Sequence, residues 1–422
     1  MTSEIKQRIQ QIGRGEVPER YVKTALGLAP ANWKRYTFGD IYTERKESGD
    51  ENLPLLMVSI HSGVSDGEVD AAELPKQVKR IEDKSQYKKA VSGDLVFNMM
   101  RAWQGAIGTV RTTGMVSPAY IVAEPNDKVN PLFMDYYSRT PQMINQIDRQ
   151  SYGVTDFRKR LYWDSFAPIG CILPPIGEQQ KIAAILTTQD RVIELKEKRL
   201  AEKQRQKKYL MQQLLTGKKR LPGFSGEWKN IKLCEVLSER KEKNVEQNLR
   251  ICSVAVLKGV VDQVEHLGRS YAANDTSNYS VAHYGDIIYT KSPTGDFLYG
   301  IVKQNLLQET VAVSPLYGVF TPMTFGLGYF LHTYFRSAIC ARNYLLPIVQ
   351  KGAKNTINIT NDTFISSKLY LPLDVEEQKA IADTFIAADR EINLLQQDIE
   401  QEKQKKKALM QLLLTGIVRV KT

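Results

Sequence analysis

Leu210-Met-Gln-Gln-Leu-Leu-Thr-Gly217 recurs as Leu409-Met-Gln-Leu-Leu-Leu-Thr-Gly416, with seven identities in eight positions at an offset of 199. Upstream of it, Leu173–Lys181 matches Leu371–Lys379 in its Leu-Pro, Glu, Gln and Lys positions at an offset of 198, so one inserted residue reconciles the two offsets. A repeat decides the architecture of a chain before any single element does. Each match flanks a segment with helical periodicity, so the sequence predicts two copies of one helix.

Shorter matches extend the repeat outside the helices. They are Trp33-Lys34 with Trp228-Lys229, Glu44–Glu47 with Glu239–Glu242, Ser92–Phe97 with Tyr284–Tyr289, and Val116–Tyr120 with Val313–Tyr317. Between these matches the copies diverge. The predicted order is an N-terminal segment 1–24, a globular domain 25–172, a helical spacer 173–217, a second globular domain 218–370, a second spacer 371–416 and a tail 417–422.

The spacers carry apolar residues in heptads, which is typical of a coiled coil. Residues 178–216 contain no Gly or Pro, and Lys207 and Lys406 interrupt the two stripes at equivalent places. A helix of 39 residues is about 58 Å long, too long for one small core, so each needs a partner. Intramolecular antiparallel pairing is favoured, with two separate surface helices as the alternative. The predicted pairing residues are Ile182, Leu186, Ile193, Leu200, Leu210, Leu214, Ile381, Phe385, Ile392, Leu395, Ile399, Leu409 and Leu413.

The globular domains mix β-rich runs with short helical stretches, which predicts an α+β fold. The predicted strands are Leu55–Ile60, Asp94–Asn98, Tyr120–Ala123, Asp286–Thr290 and Ala312–Phe320, and the predicted helix is Leu132–Ile147. The fold class is therefore α+β, with two similar globular domains separated by two long helices that form an antiparallel coiled coil with a pseudo-twofold repeat.

Composition excludes several classes of protein. The chain of 422 residues is 42% hydrophobic, which excludes wholesale disorder. Four cysteines and four histidines show no metal-ligand spacing, and neither a phosphate loop nor a GxGxxG motif occurs, so we expect no metal and no cofactor. No signal-peptide or membrane-spanning pattern is found, so the default location is cytoplasmic. Gly63–Gly67 fits the GxSxG elbow of serine hydrolases, but the following residues do not predict the required helix, and a polar hairpin is preferred.

A net charge of +11 and a pI near 9.2 suit a polyanionic partner. The first helix with its tail, 178–220, has net charge +7, whereas 376–421 is neutral, so the basic run 203–220 could lie over phosphates or face acidic partner subunits. Basic and amide side chains also cluster in loops of both domains, where they could contact phosphates or base edges. The candidate DNA-binding residues are Lys76, Lys79, Arg80, Lys84, Lys88, Lys89, Arg101, Tyr152, Arg158, Lys159, Arg160, Lys258, Arg269, Asn278, Tyr279, Lys291, Lys351, Lys354 and Asn355.

The helix-flanking motifs resemble those of the specificity subunit of Type I restriction-modification enzymes. They are Leu173–Lys181 before the first helix, Leu214–Phe224 after it, then Glu227-Trp228-Lys229, and the copies Leu371–Gln378 and Leu414–Gly416. The resemblance spans nearly the whole chain, although the second helix starts with Leu371-Pro372-Leu373 in place of the fuller Pro-Pro form.

This resemblance implies two target recognition domains that each bind half of a bipartite double-stranded DNA sequence, with the helices as a spacer for the gap. It also implies two methyltransferase subunits that methylate adenine with S-adenosylmethionine, and ATP-dependent restriction subunits, so that the chain itself is not an enzyme. Two other interpretations remain: a coiled-coil scaffold that does not bind DNA, and the recognition subunit of another DNA-modification system.

Overall fold

The computed structural model describes residues 3–50, 52–65, 86–155, 158–268, 274–351 and 357–420. The chain forms two compact units. The first consists of Met1–Leu195 with Ile399–Thr422, and the second of Lys196–Asp398. Each unit therefore combines one globular segment with parts of both long helices.

The first unit contains the following elements in its described part. The strands are β1 Tyr21–Thr24, β2 Gly27–Pro30, β3 Lys34–Thr37, β4 Tyr42–Glu44, β5 Val58–Ser59, β6 Gly63–Val64, β7 Lys88–Ala90, β8 Leu95–Asn98, β9 Ile107–Thr109, β10 Gly114–Val116, β11 Tyr120–Pro125 and β12 Gly170–Leu173. The helices are α1 Ser3–Gly13, α2 Phe38–Ile41, α3 Pro131–Tyr137, α4 Pro141–Gln150, α5 Trp163–Phe166 and the start of α6 Ile176–Leu214.

The second unit repeats this plan with additions. Its described strands are β13 Lys229–Lys232, β14 Leu237–Glu239, β15 Arg250–Ala255, β16 Gly259–Asp262, β17 Ser280–Ala282, β18 Ile287–Tyr289, β19 Val302–Gln304, β20 Val311–Val313, β21 Gly318–Pro322, β22 Gln350–Lys351, β23 Ile357–Asn358 and β24 Lys368–Leu371. Its helices are α7 Gln263–Leu267, α8 Phe325–Tyr334, α9 Ala338–Leu345, α10 Asn361–Ser366 and the start of α11 Val375–Leu414.

Equivalent antiparallel sheets form the frame of both units. The order is β4-β11-β8-β9 in the first unit and β14-β21-β18-β19 in the second. A two-stranded ladder leads into each long helix, β12 with β3 and β24 with β13. The second unit adds a four-stranded sheet in the order β16-β15-β20-β17, in which β15 and β20 are parallel. The duplicated α+β frame predicted from the repeat is confirmed.

The long helices complete the apolar core of each unit. In the first unit, Leu186 of α6 and Leu413 of α11 belong to the same buried cluster as Phe97 of the sheet. In the second, Leu214 and Phe385 share a cluster with the sheet residues. Because both helices bury their stripes against one another and against a sheet, the helices are part of the folded units and not separate surface elements.

A glycine follows the end of each long helix. Gly217 and Gly416 have φ of 68° and 72°, a left-handed conformation that glycine adopts without strain. At Gly217, the ring of Trp228 lies only 3.3 Å from the place where a Cβ would stand. A side chain here would therefore crowd the tryptophan as well as strain the turn.

Three predicted elements differ from those observed. Leu132–Ile147 is two helices, α3 and α4, because Pro141 cannot continue a helix and Thr140 caps the second one through its side chain. Ala312–Phe320 is two strands separated by a turn, in which the Tyr317 amide donates to the Ser314 carbonyl. Of the run Leu55–Ile60, only β5 pairs as a strand.

Candidate nucleic-acid interface

A basic hairpin projects from the first unit between α4 and α5. Tyr152 and Arg160 form its base, since each amide donates to the other residue's carbonyl at 3.1 and 2.9 Å. Gly153 is required beside them, because a Cβ there would stand 2.4 Å from the Arg158 carbonyl oxygen. Arg158 and Arg160 are exposed, and Tyr152 is 59% exposed. The hairpin thus presents two guanidinium groups and one aromatic ring to solvent.

The loop after β8 adjoins this hairpin. The Leu161 amide donates to the Met99 carbonyl at 2.9 Å, which fixes the two segments together. Arg101 on that loop is exposed. Behind the hairpin, the Lys159 ammonium pairs with Asp148 at 2.9 Å and lies 5.3 Å from the centre of the Trp103 ring. The structure therefore brings Arg101, Tyr152, Arg158 and Arg160 into one area, which we call the first basic surface, while Lys159 supports it.

Lys88 and Lys89 are held on strand β7 by contacts within the fold. The Lys88 ammonium donates to the Tyr120 carbonyl at 2.8 Å, and burial lowers its pKa. The Lys89 ammonium pairs with Glu47 at 2.9 Å. These two lysines already have structural partners, whereas the described part of the chain gives none to the side chains of Arg158 and Arg160.

The second unit contains a hairpin at the equivalent place, β22 with β23. Gln350 pairs with Asn358, and both lie 198 positions after Tyr152 and Arg160. The backbone hairpin is therefore duplicated while the residues at its base differ. Lys351 is on β22, but its side chain lies outside the described part, as do Lys354 and Asn355.

The other candidates of the second unit do not form one cluster. Asn278 and Tyr279 precede β17, and Lys258 precedes β16, at the opposite edge of the four-stranded sheet. Lys291 follows β18 with φ of 56°, and burial lowers its pKa. The remaining candidates, Lys76, Lys79, Arg80, Lys84 and Arg269, lie outside the described residues.

Much of the basic run near the first helix pairs with carboxylates of the second unit. The Lys203 ammonium lies 3.0 Å from Glu391, and Lys207 pairs with Asp389. Arg220 forms a two-pronged ion pair with Glu377. The hypothesis that this run lies over a phosphate backbone is therefore wrong for these three residues, because acidic residues of α11 neutralise them.

Lys207 and Lys406 interrupt the apolar stripes because each forms an ion pair with an aspartate of the other long helix. Lys207 pairs with Asp389, whose carboxylate accepts from the Tyr329 hydroxyl at 3.1 Å. In the first unit Lys406 pairs with Asp190, which accepts from the Tyr136 hydroxyl at 2.6 Å. Although burial opposes ionisation, neighbouring cations hold the pKa of Asp389 below its usual value. Each lysine thus joins the paired helices to a tyrosine of the globular part.

An ion-paired clasp closes each unit. In the first, Arg419 binds both oxygens of Glu178 at 2.7 Å, and the Trp33 indole donates to Glu178 at 3.3 Å. In the second, Trp228 donates to Glu377 at 3.1 Å, where Arg220 binds.

The clasp corrects the repeat register, because the counterpart of Glu178 is Glu377 and not Glu376. The inserted residue therefore lies between Pro372 and Glu377, before the helix. Sequence reasoning missed the clasp, although Arg220 and Arg419 stand at the same offset as the two Leu-Thr-Gly copies.

The GxSxG match forms a hairpin as far as the structure describes it. Gly63–Val64 is strand β6, and the Ser65 hydroxyl oxygen accepts from the Met57 amide at 3.1 Å. The residues after Ser65, where a nucleophile elbow has its helix, lie outside the described part. Within the described residues, no group of acidic, histidine and cysteine side chains could hold a metal, and no helix has the length and apolar character to cross a bilayer.

Comparison with known proteins shows what this chain is similar to. The profile of the Type I restriction modification DNA specificity domain matches residues 58–204. The chain is 23% identical over 372 residues to the Type I restriction enzyme MjaVIII specificity subunit of Methanocaldococcus jannaschii, covering 80% of this chain and 83% of that protein. It is 22% identical over 440 residues to the putative type I restriction enzyme MjaX specificity subunit of the same organism, covering 96% and 98%.

The fold agrees with these sequence matches. The crystal structure of a Type-I restriction-modification system S subunit from M. genitalium has a TM-score of 0.52 at 11% identity and covers 93% of this chain and 97% of that chain. With the domain match over residues 58–204, the near full-length relatives and the shared fold in agreement, the chain is similar to Type I restriction enzyme specificity subunits over nearly its whole length.

Proposed function

We propose that this chain reads a bipartite double-stranded DNA sequence, with 25–172 and 218–370 as the recognition domains for the two halves. The duplicated hairpin carries this proposal. Tyr152 and Arg160 form its base in the first unit, and Gln350 and Asn358 in the second, on equivalent frames. Equal frames with unlike hairpins suit two half-sites of different sequence, since the hairpin side chains would supply the base contacts.

The first basic surface has the chemistry that the major groove requires. Arginine can bind guanine through two parallel hydrogen bonds, and a two-stranded ribbon fits a groove about 12 Å wide. Arg158 and Arg160 are exposed on such a ribbon. Arg101, on the adjoining loop, is suited to a phosphate contact that fixes orientation.

A double substitution tests the assignment of half-sites. We expect Arg158→Ala with Arg160→Ala to relax recognition of one half-site, at about 1–3 kcal/mol for each base-reading arginine, and to leave the other half-site unchanged. The chain would be purified with its methyltransferase, and methylated adenines would be mapped across a sequence library. Arg35→Ala is the matched control, because Arg35 is exposed on β3, beside the strand that leads into α6. Equal loss at both half-sites would contradict the assignment.

Two equivalent exposed leucines on the long helices support docking of two methyltransferase subunits. Leu195 is 50% exposed and Leu394 is 55% exposed, and they are 199 positions apart. Exposed apolar side chains at repeated positions are suitable anchors for two copies of one partner. The same complex would recruit ATP-dependent restriction subunits and act on cytoplasmic DNA.

Co-purification tests the docking proposal. Leu195→Asp with Leu394→Asp should abolish recovery of the methyltransferase, while Gln396→Asp with Gln401→Asp, two exposed changes on α11 that add the same charge, should not. If both variants retain the methyltransferase, the leucines are not anchors. A scaffold that does not bind DNA would still recover its partner proteins but would show no sequence-selective DNA retention.

A further inference from the structure

A cavity of about 240 Å³ lies inside the second unit. Its walls come from the turn between β15 and β16, from strand β19, and from helices α8 and α11. Lys258 on the turn is exposed, whereas Lys303 on β19 and His332 on α8 are only 2% and 6% exposed. The fold has therefore removed two basic side chains of this cavity, Lys303 and His332, from water.

The Lys303 ammonium is the unusual group in this cavity. Among the described residues, it has no hydrogen-bond or ion-pair partner. The neighbouring carboxylate, Asp389, already binds Arg336 at 2.9 Å, Lys207, and the Tyr329 hydroxyl at 3.1 Å. Buried charges are ordinarily paired, so an unpaired ammonium at a cavity wall indicates a missing anion.

Two further donors are available beside Lys303. The His332 Nδ1 atom accepts from the Gln304 amide at 3.0 Å, which leaves the Nε2–H group as a donor. Arg336 lines the same cavity. Burial, together with the cations Lys303 and Arg336, holds the pKa of His332 well below its usual value, so this ring is neutral. Two cations, Lys303 and Arg336, and one neutral histidine donor thus face a single carboxylate, to which Arg336 and Lys207 are already bound.

The lysine is not required by the repeated frame. Lys303 pairs with Ile288 in the sheet, and Gly108 pairs with Val96 at the equivalent place of the first unit. The first unit builds the same strand with a glycine. Of these two equivalent strands, only the one in the second unit carries a buried ammonium group. The packing that the two units share does not explain it.

We propose that the cavity binds a small oxyanion, a phosphoryl or carboxylate group, through Lys303, with Arg336 and His332 as additional donors. The ligand is either free in solution or a phosphate of bound DNA, and both have the chemistry that these groups recognise. This inference does not rest on the recognition of a bipartite target.

Titration of the full chain with inorganic phosphate at constant ionic strength tests the proposal. Phosphate should bind saturably and slow amide hydrogen exchange in 302–304 and 329–336, and acetate should compete. Lys303→Met should weaken binding by roughly thirtyfold or more, since loss of one partner of a buried charge pair costs about 2 kcal/mol or more. Lys229→Met, at an exposed position on β13, is the control and should bind phosphate normally.

Measurements of DNA binding distinguish a free anion from a phosphate of bound DNA as the ligand. If free phosphate does not bind, but Lys303→Met reduces the salt dependence of DNA binding by about 0.9 in slope, the ligand is a backbone phosphate. If phosphate neither binds nor protects the unaltered chain, and the DNA slope is unchanged in Lys303→Met, the proposal is wrong. The exchange experiment needs no variant, so it decides the free-anion arm even if Lys303→Met does not fold.

Discussion

Replacing Lys303 by methionine should stabilise the second unit in the absence of an anion. Burial, followed by the cations Arg336 and Lys207, lowers the pKa of Lys303 from 10.5 to about 8. Since one pKa unit corresponds to about 1.36 kcal/mol, keeping this ammonium charged costs the folded state roughly 3 kcal/mol at pH 7. Methionine has similar length and no charge, so the variant should be more stable by up to that amount.

The difference should disappear as the pH rises. Below about pH 8 the lysine is protonated in the folded and unfolded chains, and the full cost is present. Between about 8 and 10.5 the unfolded chain binds more protons than the folded chain, so the stability of the unaltered protein rises with pH. His332, Arg336, Lys207 and Asp389 are the ionisable groups that face Lys303.

Urea unfolding in chloride buffer at pH 7 and pH 10 measures this effect, with Lys229→Met as the control. The transition of the second unit should occur at higher urea in Lys303→Met at pH 7 and should nearly coincide with that of the unaltered chain at pH 10. If Lys303→Met is less stable at pH 7, the lysine has a stabilising partner and the reasoning fails.

One insertion and two substitutions have further defined outcomes. Adding one heptad to each long helix, after Leu195 and after Asp398, preserves the ion pairs within each unit and lengthens each helix by about 10.5 Å. Mapping of methylated sites should then show a gap between the half-sites that is longer by about three base pairs, at reduced affinity. An unchanged gap would refute the spacer proposal. Phe385→Ala, at a fully buried position, should destabilise the second unit by roughly 3–5 kcal/mol in urea unfolding and leave the first unit's transition in place. Glu178→Gln should destabilise the first unit by about 2 kcal/mol, which is less than the loss of a fully buried ion pair costs, because Arg419 is one-third exposed. An unaltered unfolding transition would show that the clasp does not contribute to stability.

The sequence predicts those parts of the fold that the repeat and the heptads specify. The paired helices and the duplicated frame follow from exact matches such as the Leu-Thr-Gly ends, and the glycine at each end has the expected left-handed φ. Pro141, directly after the capping residue Thr140, marks the break between α3 and α4 in the sequence. Propensity alone did not separate a capped pair of helices from a single one.

The basic side chains were harder to assign because charge in a sequence does not show its partner. Lys207 and Arg220 fit a phosphate-binding run, yet carboxylates 182 and 157 positions away neutralise them. Lys303 gave no signal, since a lysine in the run Ile301-Val302-Lys303-Gln304 is typical of an ordinary edge strand. Arg158 and Arg160 differ because short-range backbone pairing at Tyr152 keeps them on an exposed hairpin.

The clasp at Glu178 has a consequence for synthesis on the ribosome. The first unit takes its closing helix and Arg419 from the last part of the chain, whereas Lys196–Asp398 is continuous. During translation the second unit can finish as soon as its own residues emerge. The first unit keeps an uncovered apolar edge until Ile399–Arg419 leaves the ribosomal exit tunnel. The part of the chain that is synthesised first therefore completes its fold last, and it is the part that chaperones would bind.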